Sequence, residues 1–367
     1  MFKPKIDYIF LFSVLALSAI GLIMIFSASP TMGLKLGDSF FFIKRHLFYL
    51  LLGFFALYFG FRIDLEHLKK WAGLIFAISM VLLISIYIPG VGRKVLGASR
   101  WIDLGILSFQ PSELMKFSTV LFLAVILTNR REKIKDYFAG LLPPVVLTGI
   151  VAVLIIRQPD LGTALTIAGT SFIMLFVAGA ELWQLGLIGG VGVMGVIGLS
   201  VISPYRMQRL LAYLDPWKDP QGIGFQIIQS LLAVGSGGII GLGMGASRQK
   251  FFYLPQQFTD FIFAILCEEL GFLGGLGVVV LFILFAGRGL RIVLSTSDRF
   301  KSLLAAGIVS WITLQGLINI MVVLGIIPTT GIPLPFISYG GTATIVNLFV
   351  VGVVLNISKN KSESEAK

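Results

Sequence analysis

The sequence predicts an all-α, polytopic integral membrane protein with ten transmembrane helices, and three observations support this fold class. Of the 367 residues, 56% are apolar and 13% are charged, whereas soluble globular proteins have about 45–50% and about 25%. The mean hydropathy is +0.94. The apolar residues fall in ten successive runs, each close to the roughly 20 residues that cross a bilayer as a helix. A soluble enzyme, a secreted domain and a disordered chain are therefore not expected.

The predicted spans are joined by short links, apart from two long segments on one face. They lie near residues 8–29, 46–61, 71–89, 112–128, 138–156, 161–179, 185–203, 260–286, 302–322 and 340–357. The first run ends like a signal-peptidase site, but its apolar core is too long for a signal peptide. We predict one transmembrane domain, 1–357, with a large extracellular loop at 204–259 and a disordered cytoplasmic tail at 358–367.

Basic residues in the short loops predict the orientation, because cytoplasmic loops carry an excess of Lys and Arg. With ten spans, both termini share a face with the links that follow the second, fourth and eighth spans. That face carries Lys3, Lys5, Arg62, Lys69, Lys70, Arg130, Arg131, Lys133, Lys135, Arg288, Arg291, Arg299 and Lys301. Both termini are therefore predicted to be cytoplasmic.

The opposite face is also cationic, although long loops cross the membrane regardless of charge. Its cations are Arg93, Lys94, Arg100, Arg157, Arg206, Arg209, Lys218, Arg248 and Lys250. They suit a phosphate-bearing lipid ligand or ordinary anionic head groups, and charge alone does not choose between the two.

Three stretches of this face have a recognisable local pattern. Between 207 and 214, apolar residues fall at i, i+3, i+4 and i+7, and residues 222–234 repeat the theme, which is typical of short interfacial helices. Residues 327–342 contain three prolines and three glycines and are not expected to be helical. Such irregular backbone at membrane depth has to line a cavity or be buried in protein.

Charged residues at membrane depth are costly, so each is a candidate functional residue. Glu113 and Lys116 follow Pro111 and share one helix face, because they are three residues apart. A lysine near a helix N-terminus faces the unfavourable end of the dipole and needs an anion close by. Two interpretations stay open: the pair only fixes the helix entry, or Lys116 holds a substrate phosphate and Glu113 positions it.

Two aspartates precede predicted spans on the same face. Asp160 follows Arg157-Gln158-Pro159 and has the position of a helix N-cap. Asp260, together with Thr259, can also cap the span that follows. Alternatively, Asp260 acts as a base on an extracellular substrate, because the helix dipole favours its ionised form at the outer face.

Glu268 and Glu269 lie deeper in that span, about 12–13 Å along the helix from Asp260. Buried carboxylates pair with cations or become protonated, so a proton relay, and with it a transporter, stays open as an alternative. One cysteine and two histidines, His46 and His67, favour neither a disulfide framework nor a histidine metal site. We interpret His67 as a solvated loop residue.

Five long motifs occur in order along essentially the whole chain. They are RWIDLGILSFQPSELMK (100–116), QPDLGTAL (158–165), DPWKDPQGIGFQIIQS (215–230), RQKFFYLPQQFTDFIFAILCEELG (248–271) and IPLPFISYGG (332–341). Together they resemble the SEDS family of shape, elongation, division and sporulation proteins, which includes RodA, FtsW and SpoVE. The stretch GASRQKFFYLP is more similar to the FtsW and SpoVE branch. Gln256-Gln257-Phe258 departs from the Glu-x-His that the family often has before Thr-Asp, so roles for those two neighbours do not carry over.

The resemblance implies a SEDS fold in the bacterial cytoplasmic (inner) membrane and peptidoglycan glycosyltransferase activity facing outside. Lipid II would be polymerised into β-1,4 glycan strands by inverting attack, with loss of undecaprenyl pyrophosphate, in cell division, shape or sporulation. The implied partners are a class B penicillin-binding protein that supplies transpeptidation and other divisome or elongasome membrane proteins, without nucleic acid. A lipid II flippase and a non-catalytic scaffold for the penicillin-binding protein stay open as alternatives.

By position, the family's essential aspartate is Asp260. The substrate-binding candidates are Arg100, Glu113, Lys116, Asp160, Arg206, Lys250 and Ser338. Pyrophosphate leaves readily once its charge is balanced, so one carboxylate base and several cations suffice. No cofactor is expected with certainty, and a divalent cation, Mg²⁺ or Mn²⁺, held by Glu113 or Asp260, stays open.

Overall fold

A computed structural model describes residues 6–95, 98–103, 105, 108–251 and 253–359. Within them, ten helical segments are long and apolar enough to cross a membrane. They are α1 (Tyr8–Ala28), α3 (Phe41–Arg62), α4 (Leu65–Ser85), α5 (Pro111–Asn129), α6 (Leu142–Arg157, extended back to Tyr137 by a wider turn), α7 (Leu161–Ala178), α8 (Leu182–Ile202), α11 (Ile262–Ser295), α12 (Arg299–Val323) and α13 (Gly341–Lys359). The prediction of a ten-span helical membrane protein is confirmed.

The largest boundary error is at the end of α11, which continues to Ser295 rather than ending near 286. The helices α3 and α4 begin at Phe41 and Leu65 rather than at 46 and 71. Charged residues lie close to all three ends, Lys44 and Arg45 in α3, Glu66, Lys69 and Lys70 in α4, and Arg288 and Arg291 in α11, so hydropathy alone places these boundaries too far inside. Asp64 caps α4 by accepting the backbone N–H of Glu66 at 2.9 Å. His67 is therefore helical rather than part of a loop, although it is exposed, with Nδ1 2.7 Å from the Asp64 carboxylate.

The alternating spans divide their links between two faces of the bundle. We call the face that carries the described residues of 86–110, 203–261 and 324–340 the long-loop face. The face that carries Asp7 and Lys359 is called the terminal face. The predicted tail begins later than expected, because Ser358 is buried in α13, which continues to Lys359. Residues 360–367 lie outside the described residues.

Short elements cover the long-loop face. The two predicted interfacial helices correspond to α9 (Pro204–Leu214) and α10 (Phe225–Ser236), and a further short helix, α2 (Pro30–Leu34), follows α1.

A small antiparallel sheet, ordered β1-β2-β3, was not predicted. Its strands are β1 (Gly92–Val95), β2 (Ala98–Asp103) and β3 (Ser108–Phe109). Ile102 pairs with Gly92 on one side and with Phe109 on the other. The sheet places Arg100, on its central strand, over the helical bundle.

The core of the bundle lies around α5, α12 and α13. In the membrane-spanning stretches of these three helices, 72%, 67% and 72% of the residues are buried inside the protein, whereas 6% are buried in that of α8. α13 packs along α3, and α11 packs against both α1 and α12. The polar residues of α5 and α12 are therefore held in the most enclosed part of the molecule.

One span, α11, is interrupted close to its start. Gly271 has φ 69° and ψ −167°, so residues 262–270 form a short half-helix in front of a long one. The N–H groups of Phe272 and Leu273 donate to the carbonyl oxygens of Gly238 and Ile239, at 2.8 and 3.1 Å. The segment that follows α10, which includes Gly238 and Ile239, therefore packs into the break of α11.

Candidate active site

Asp260 lies at the long-loop face, in the turn that leads into α11. No side chain caps the N-terminus of this helix, so the interpretation of Thr259 or Asp260 as its N-cap is wrong. The Thr259 hydroxyl instead donates to Gln256, at 3.2 Å to the backbone oxygen and 2.7 Å to Oε1. Gln256 adopts a left-handed conformation, with φ 56°, a strained geometry for a residue with a side chain. The Asp260 carboxylate therefore accepts no hydrogen bond from the first turn of α11.

The Asp260 turn is held by residues from later in the chain. The Asn319 side-chain amide donates to the carbonyl oxygens of Asp260 and Ile332, both at 2.7 Å. The Ser338 hydroxyl donates to the carbonyl oxygen of Thr259 at 2.6 Å. Residues 327–340 are not helical, as predicted, and the central residues of this loop are buried in protein. Gly341 and Thr342, the last two residues of the predicted stretch 327–342, instead begin α13.

The surroundings of Asp260 give its carboxyl group unusual acid–base properties. Burial, and then the nearby Asp160 carboxylate, raise the pKa of Asp260 to about 6, while Arg209 and Arg100 act in the opposite direction. Part of the side chain stays accessible. A pKa close to the working pH is what a general base needs.

Arg100 and Asp160 lie near Asp260 and contact each other. Arg100 Nη1 lies 3.9 Å from Asp160 Oδ2, and the guanidinium also donates to the carbonyl oxygens of Gln158, at 2.9 Å, and Pro159. Asp160 caps α7 by accepting the backbone N–H of Thr163 at 3.1 Å, which confirms that interpretation. The structure thus brings Arg100 and Asp160 together, close enough to Asp260 for their charges to act on it.

Sequence reasoning missed two residues of this site, Arg209 and Asn319. Arg209, on α9, donates to the carbonyl oxygen of Thr329 at 3.0 Å and lowers the pKa of Asp260 through its charge. The available signals were weak: an arginine opposite the apolar stripe of an interfacial helix, and two amides, Gln315 and Asn319, in an apolar span.

Glu113 and Lys116 form a deeper, fully buried layer. Their ion pair, predicted from the spacing, has Nζ 2.9 Å from Glu113 Oε1, with both side chains 3% exposed. Lys116 also donates to Gln315 Oε1 at 2.7 Å and lies 4.9 Å from the centre of the Trp311 ring. Gln315 donates in turn to Pro333, at 2.9 Å, in the loop beside Asp260. Lys116 is therefore connected to Asp260 through α12 and this loop, not by direct contact.

This ion pair borders a narrow gap between α5, α7 and α12. The gap is lined by Lys116, Thr119, Val120, Thr166, Ile167, Thr170, Ser171 and Trp311. Among the described residues, Glu113 Oε2 and the hydroxyls of Thr119 and Thr170 have no hydrogen-bond partner. Since buried polar atoms are normally paired, these atoms are available to water or to a bound group.

Three further substrate-binding candidates contact groups of the protein itself. Ser338 supports the backbone of the Asp260 turn. Arg206 donates to the carbonyl oxygens of Leu199 and Ile156, at 3.3 and 3.0 Å. Lys250 is buried against Glu269, at 3.1 Å. No contact with Asp260 is described for Arg206 or Lys250.

A metal site is not evident within the described part of the chain. No group of three or more His, Cys, Asp or Glu residues there is arranged to hold an ion. The expectation of a divalent cation at Glu113 or Asp260 stays a prediction.

Comparison with known proteins places this geometry in a family. The sequence profile of the cell cycle protein family FtsW, RodA and SpoVE matches residues 8–363. Stage V sporulation protein E of Bacillus subtilis strain 168 is 46% identical over 358 residues, which cover 97% of this chain and 98% of that protein. The "Probable peptidoglycan glycosyltransferase FtsW" of Geobacter sp. strain M18 is 41% identical over 353 residues, covering 96% of each.

Solved structures show the same similarity. A chain from a study of how a peptidoglycan synthase complex coordinates polymerization and crosslinking superposes with a TM-score of 0.81 at 31% identity, covering 97% of this chain and 98% of that one. The rod shape determining protein RodA of Thermus thermophilus superposes with a TM-score of 0.69 at 26% identity, with the same coverage. This chain is therefore a multi-pass membrane protein that belongs to the FtsW, RodA and SpoVE family of cell cycle proteins.

Proposed function

We propose that this chain is a peptidoglycan glycosyltransferase that polymerises lipid II into β-1,4 glycan strands. The observation that carries the proposal is one part-buried carboxylate, Asp260, whose pKa is raised to about 6 beside Arg100 and Arg209 at the long-loop face. A lone base surrounded by cations suits a reaction that expels pyrophosphate. The similarity to FtsW proteins, named as glycosyltransferases, supports this activity.

The reaction is an in-line displacement with one inversion. Asp260 accepts the proton of the acceptor sugar 4-hydroxyl as its oxygen bonds to the anomeric carbon of the α-linked donor. The bond from that carbon to the pyrophosphate oxygen breaks, and undecaprenyl pyrophosphate leaves with the electron pair. A glycosidase needs a general acid because its leaving group is poor. Pyrophosphate needs only cations, so Asp260 acts as the single base.

The cationic side chains of the proposed site lie at two depths below the long-loop face. Arg100, with its side chain 25% exposed, and Arg209 are placed to meet the departing pyrophosphate, where a fixed positive charge stabilises developing negative charge. Lys116 is 3% exposed, so its contribution is to the polar lining deeper in the bundle. Glu113 orients Lys116 there.

The proposed site faces the outside of the bacterial cytoplasmic membrane. The links of the terminal face carry the basic residues that mark cytoplasmic loops, and the long-loop face with Asp260 lies opposite. Lipid II in the outer leaflet would then reach Asp260 from the membrane.

A class B penicillin-binding protein is the proposed partner. The support is the similarity to a chain from a peptidoglycan synthase complex in which polymerization is coordinated with crosslinking. Crosslinking needs a transpeptidase, which is the activity that a class B penicillin-binding protein would supply.

The flippase alternative was motivated by Glu268, Glu269 and the broken backbone before the last span. Glu269 pairs with Lys250 at 3.1 Å, and Glu268 accepts the Arg248 N–H at 2.9 Å. These partners account for two buried carboxylates without a transport role, so no observation favours the flippase over the enzyme.

The test is polymerisation of labelled lipid II by the purified protein, with and without candidate class B penicillin-binding proteins. Asp260→Asn is expected to lower the rate about 10²–10⁴-fold, because it removes the base. The matched control is Asp38→Asn, an exposed aspartate of the same face that pairs with Lys44 at 2.9 Å, and it should retain wild-type activity.

Folding of the Asp260→Asn variant is not expected to suffer. The pKa of Asp260 is raised from 3.8 to about 6. Ionisation of Asp260 therefore lowers the free energy of unfolding progressively as the pH rises from 3.8 to about 6, and the full loss is present above about pH 6. The amide should therefore be at least as stable at pH 7. Near-normal polymer from Asp260→Asn would refute the role of the base. Lipid II translocation in proteoliposomes without polymer would instead indicate a flippase. If no site variant changed the polymerisation rate, the chain would be a scaffold.

A further inference from the structure

A second charged cluster, which the proposed reaction does not use, lies on the half-helix behind Asp260. Glu268 and Glu269 are 1% and 0% exposed, and Lys250 is 6% exposed. Burying charge is costly unless each ion is paired and hydrogen-bonded. Residues buried to this degree therefore need specific partners, and those partners indicate what the cluster does.

The Glu268 carboxylate holds the backbone of the segment that leads from α10 towards Asp260. It accepts the hydroxyl of Ser247 at 2.5 Å and the backbone N–H groups of Arg248 and Gln249 at 2.9 and 3.4 Å. A carboxylate that accepts several donors from one short segment fixes that segment strongly, since hydrogen bonds to a charged group are the stronger kind.

The Glu269 carboxylate ties the same segment to α1. The Ser27 hydroxyl lies 2.7 Å from both of its oxygens, and Lys250 Nζ lies 3.1 Å from Oε1. Lys250 also donates to the carbonyl oxygen of Gly245 at 2.5 Å and to Ser27 at 3.4 Å. An ammonium group has three donors, so all three are used inside the cluster and none is left for a substrate phosphate.

The backbone of the same two glutamates completes the attachment. Because α11 breaks at Gly271, the carbonyl oxygens of Glu268 and Glu269 accept the N–H groups of Leu242 and Gly243, both at 3.0 Å. A methyl group at Gly271 would overlap the backbone of residues 239 and 241. The side chains and the main chain of the two glutamates thus hold residues 242–250 in the break of α11. We call this attachment site the seat.

Asp260 is rigidly connected to this seat from both directions. The half-helix 262–270 extends about 13 Å at 1.5 Å per residue, with Asp260 before its start and Glu269 near its end. On the other side, Gln257 Nε2 donates to Ala28 and Thr31, at 2.9 and 3.1 Å, and Thr31 donates to the carbonyl oxygen of Lys250 at 3.0 Å. Loosening the seat would move Asp260 relative to its cations.

We propose that the Lys250–Glu269 ion pair, together with Glu268, is a positioning unit that sets the place of Asp260 for the chemical step. The inference rests on the proposed glycosyltransferase function and changes the role of Lys250 from substrate binding to positioning. A displacement of about 1 Å at a reacting group can cost about 10²-fold in rate. The unit therefore acts on kcat, whereas a phosphate-binding lysine would act on KM.

The test uses the purified full-length protein with labelled lipid II. Glu269→Gln leaves Lys250 buried without its ion-pair partner, so the double variant Lys250→Met/Glu269→Gln, which removes both charges, is measured beside it. We expect kcat per folded molecule to fall about 10–100-fold in the double variant, with KM unchanged. Amide hydrogen exchange should become faster both at 242–250 and at the Asp260 turn, 256–261.

The control is Asp7→Asn, which breaks the ion pair between α1 and α11 at the terminal face and should leave kcat and exchange at 256–261 unchanged. A double variant with wild-type kcat, or with a raised KM alone, would overturn the positioning role while the Asp260→Asn result still decides the proposed function. If the wild type makes no polymer either alone or with candidate class B penicillin-binding proteins, the proposed function fails. Exchange at 256–261 then decides the positioning role, and unchanged exchange in the double variant would contradict it.

Discussion

The helix α11 forms one ion pair at each face of the bundle, with Asp7 just before α1 at one face and with Lys250 after α10 at the other. The two pairs are built differently. At the terminal face, Arg288 forms a bidentate pair with Asp7, at 2.7 to 3.0 Å, and its side chain is 27% exposed. At the long-loop face, Glu269 is fully buried with Lys250, and α11 is broken beside it. The molecule encloses its charge on the side that carries Asp260 and leaves it partly solvated on the other.

The difference in burial between the two ion pairs indicates which half of the molecule is more sensitive to substitution. A fully exposed ion pair contributes about 0–1 kcal/mol, whereas removing one partner of a buried pair costs about 3–5 kcal/mol. The Arg288–Asp7 pair, with side chains 27% and 10% exposed, lies between these two limits. The long-loop half, with Glu113–Lys116 and Glu269–Lys250, is therefore expected to respond far more strongly to single substitutions than the terminal end.

The largest stability effect is expected from Lys116→Met, which leaves the Glu113 carboxylate buried without its partner. We expect the free energy of unfolding to fall by about 3–5 kcal/mol, measured by chemical denaturation in detergent. The double variant Lys116→Met/Glu113→Gln should recover most of this loss. A single variant as stable as the wild type would remove the contrast between the two halves.

The next effect is expected from Gly271→Ala in the break of α11. An alanine at positive φ, with its methyl group against backbone, should cost about 1–3 kcal/mol. Gly277→Ala is the matched control, because a methyl group there meets nothing within 4 Å; it should be neutral or stabilising by up to about 1 kcal/mol. Equal thermal stability of the two variants would contradict the role of the break.

A smaller effect is expected from pH. With a pKa of about 6, Asp260 loses its charge below that pH, so the base form disappears as the pH falls. The polymerisation rate should drop about tenfold between pH 8 and pH 5, in single-turnover measurements on protein that stays folded. A rate that is flat down to pH 4.5 would mean that Asp260 does not titrate as the base.

The smallest effect is expected at the terminal face. Asp7→Asn should lower the free energy of unfolding by about 1 kcal/mol, because water reaches part of the Arg288 side chain and the amide oxygen can still accept its hydrogen bond. Polymerisation should not change. A loss as large as that of Lys116→Met would show that the two ends do not differ in the way their burial indicates.

Much of this architecture could be predicted because hydropathy and capping are local properties. The ten spans, the helix α9 and the Asp160 cap follow from residues within one or two turns of each other, as does the Glu113–Lys116 pair.

The features that were missed depend on partners far away in the chain. Asn319 meets Asp260 across 59 residues, and Glu269 meets Ser27 across 242. No local pattern encodes such a contact. The sheet was missed because its strands are short, and their pairing, rather than their hydropathy, defines them. Lys250 is a substrate-binding candidate from its charge, and its burial against Glu269 supports the positioning role proposed above.

The hold of Asn319 and Ser338 on the Asp260 turn has a consequence for biosynthesis. Ribosomes deliver the aspartate well before the two side chains that fix its backbone, so the turn stays incomplete until the ninth span and the loop after it have been inserted. The reactive group is thus assembled near the end of translation. A nascent or truncated chain that stops short of residue 338 would carry the aspartate without the means to use it.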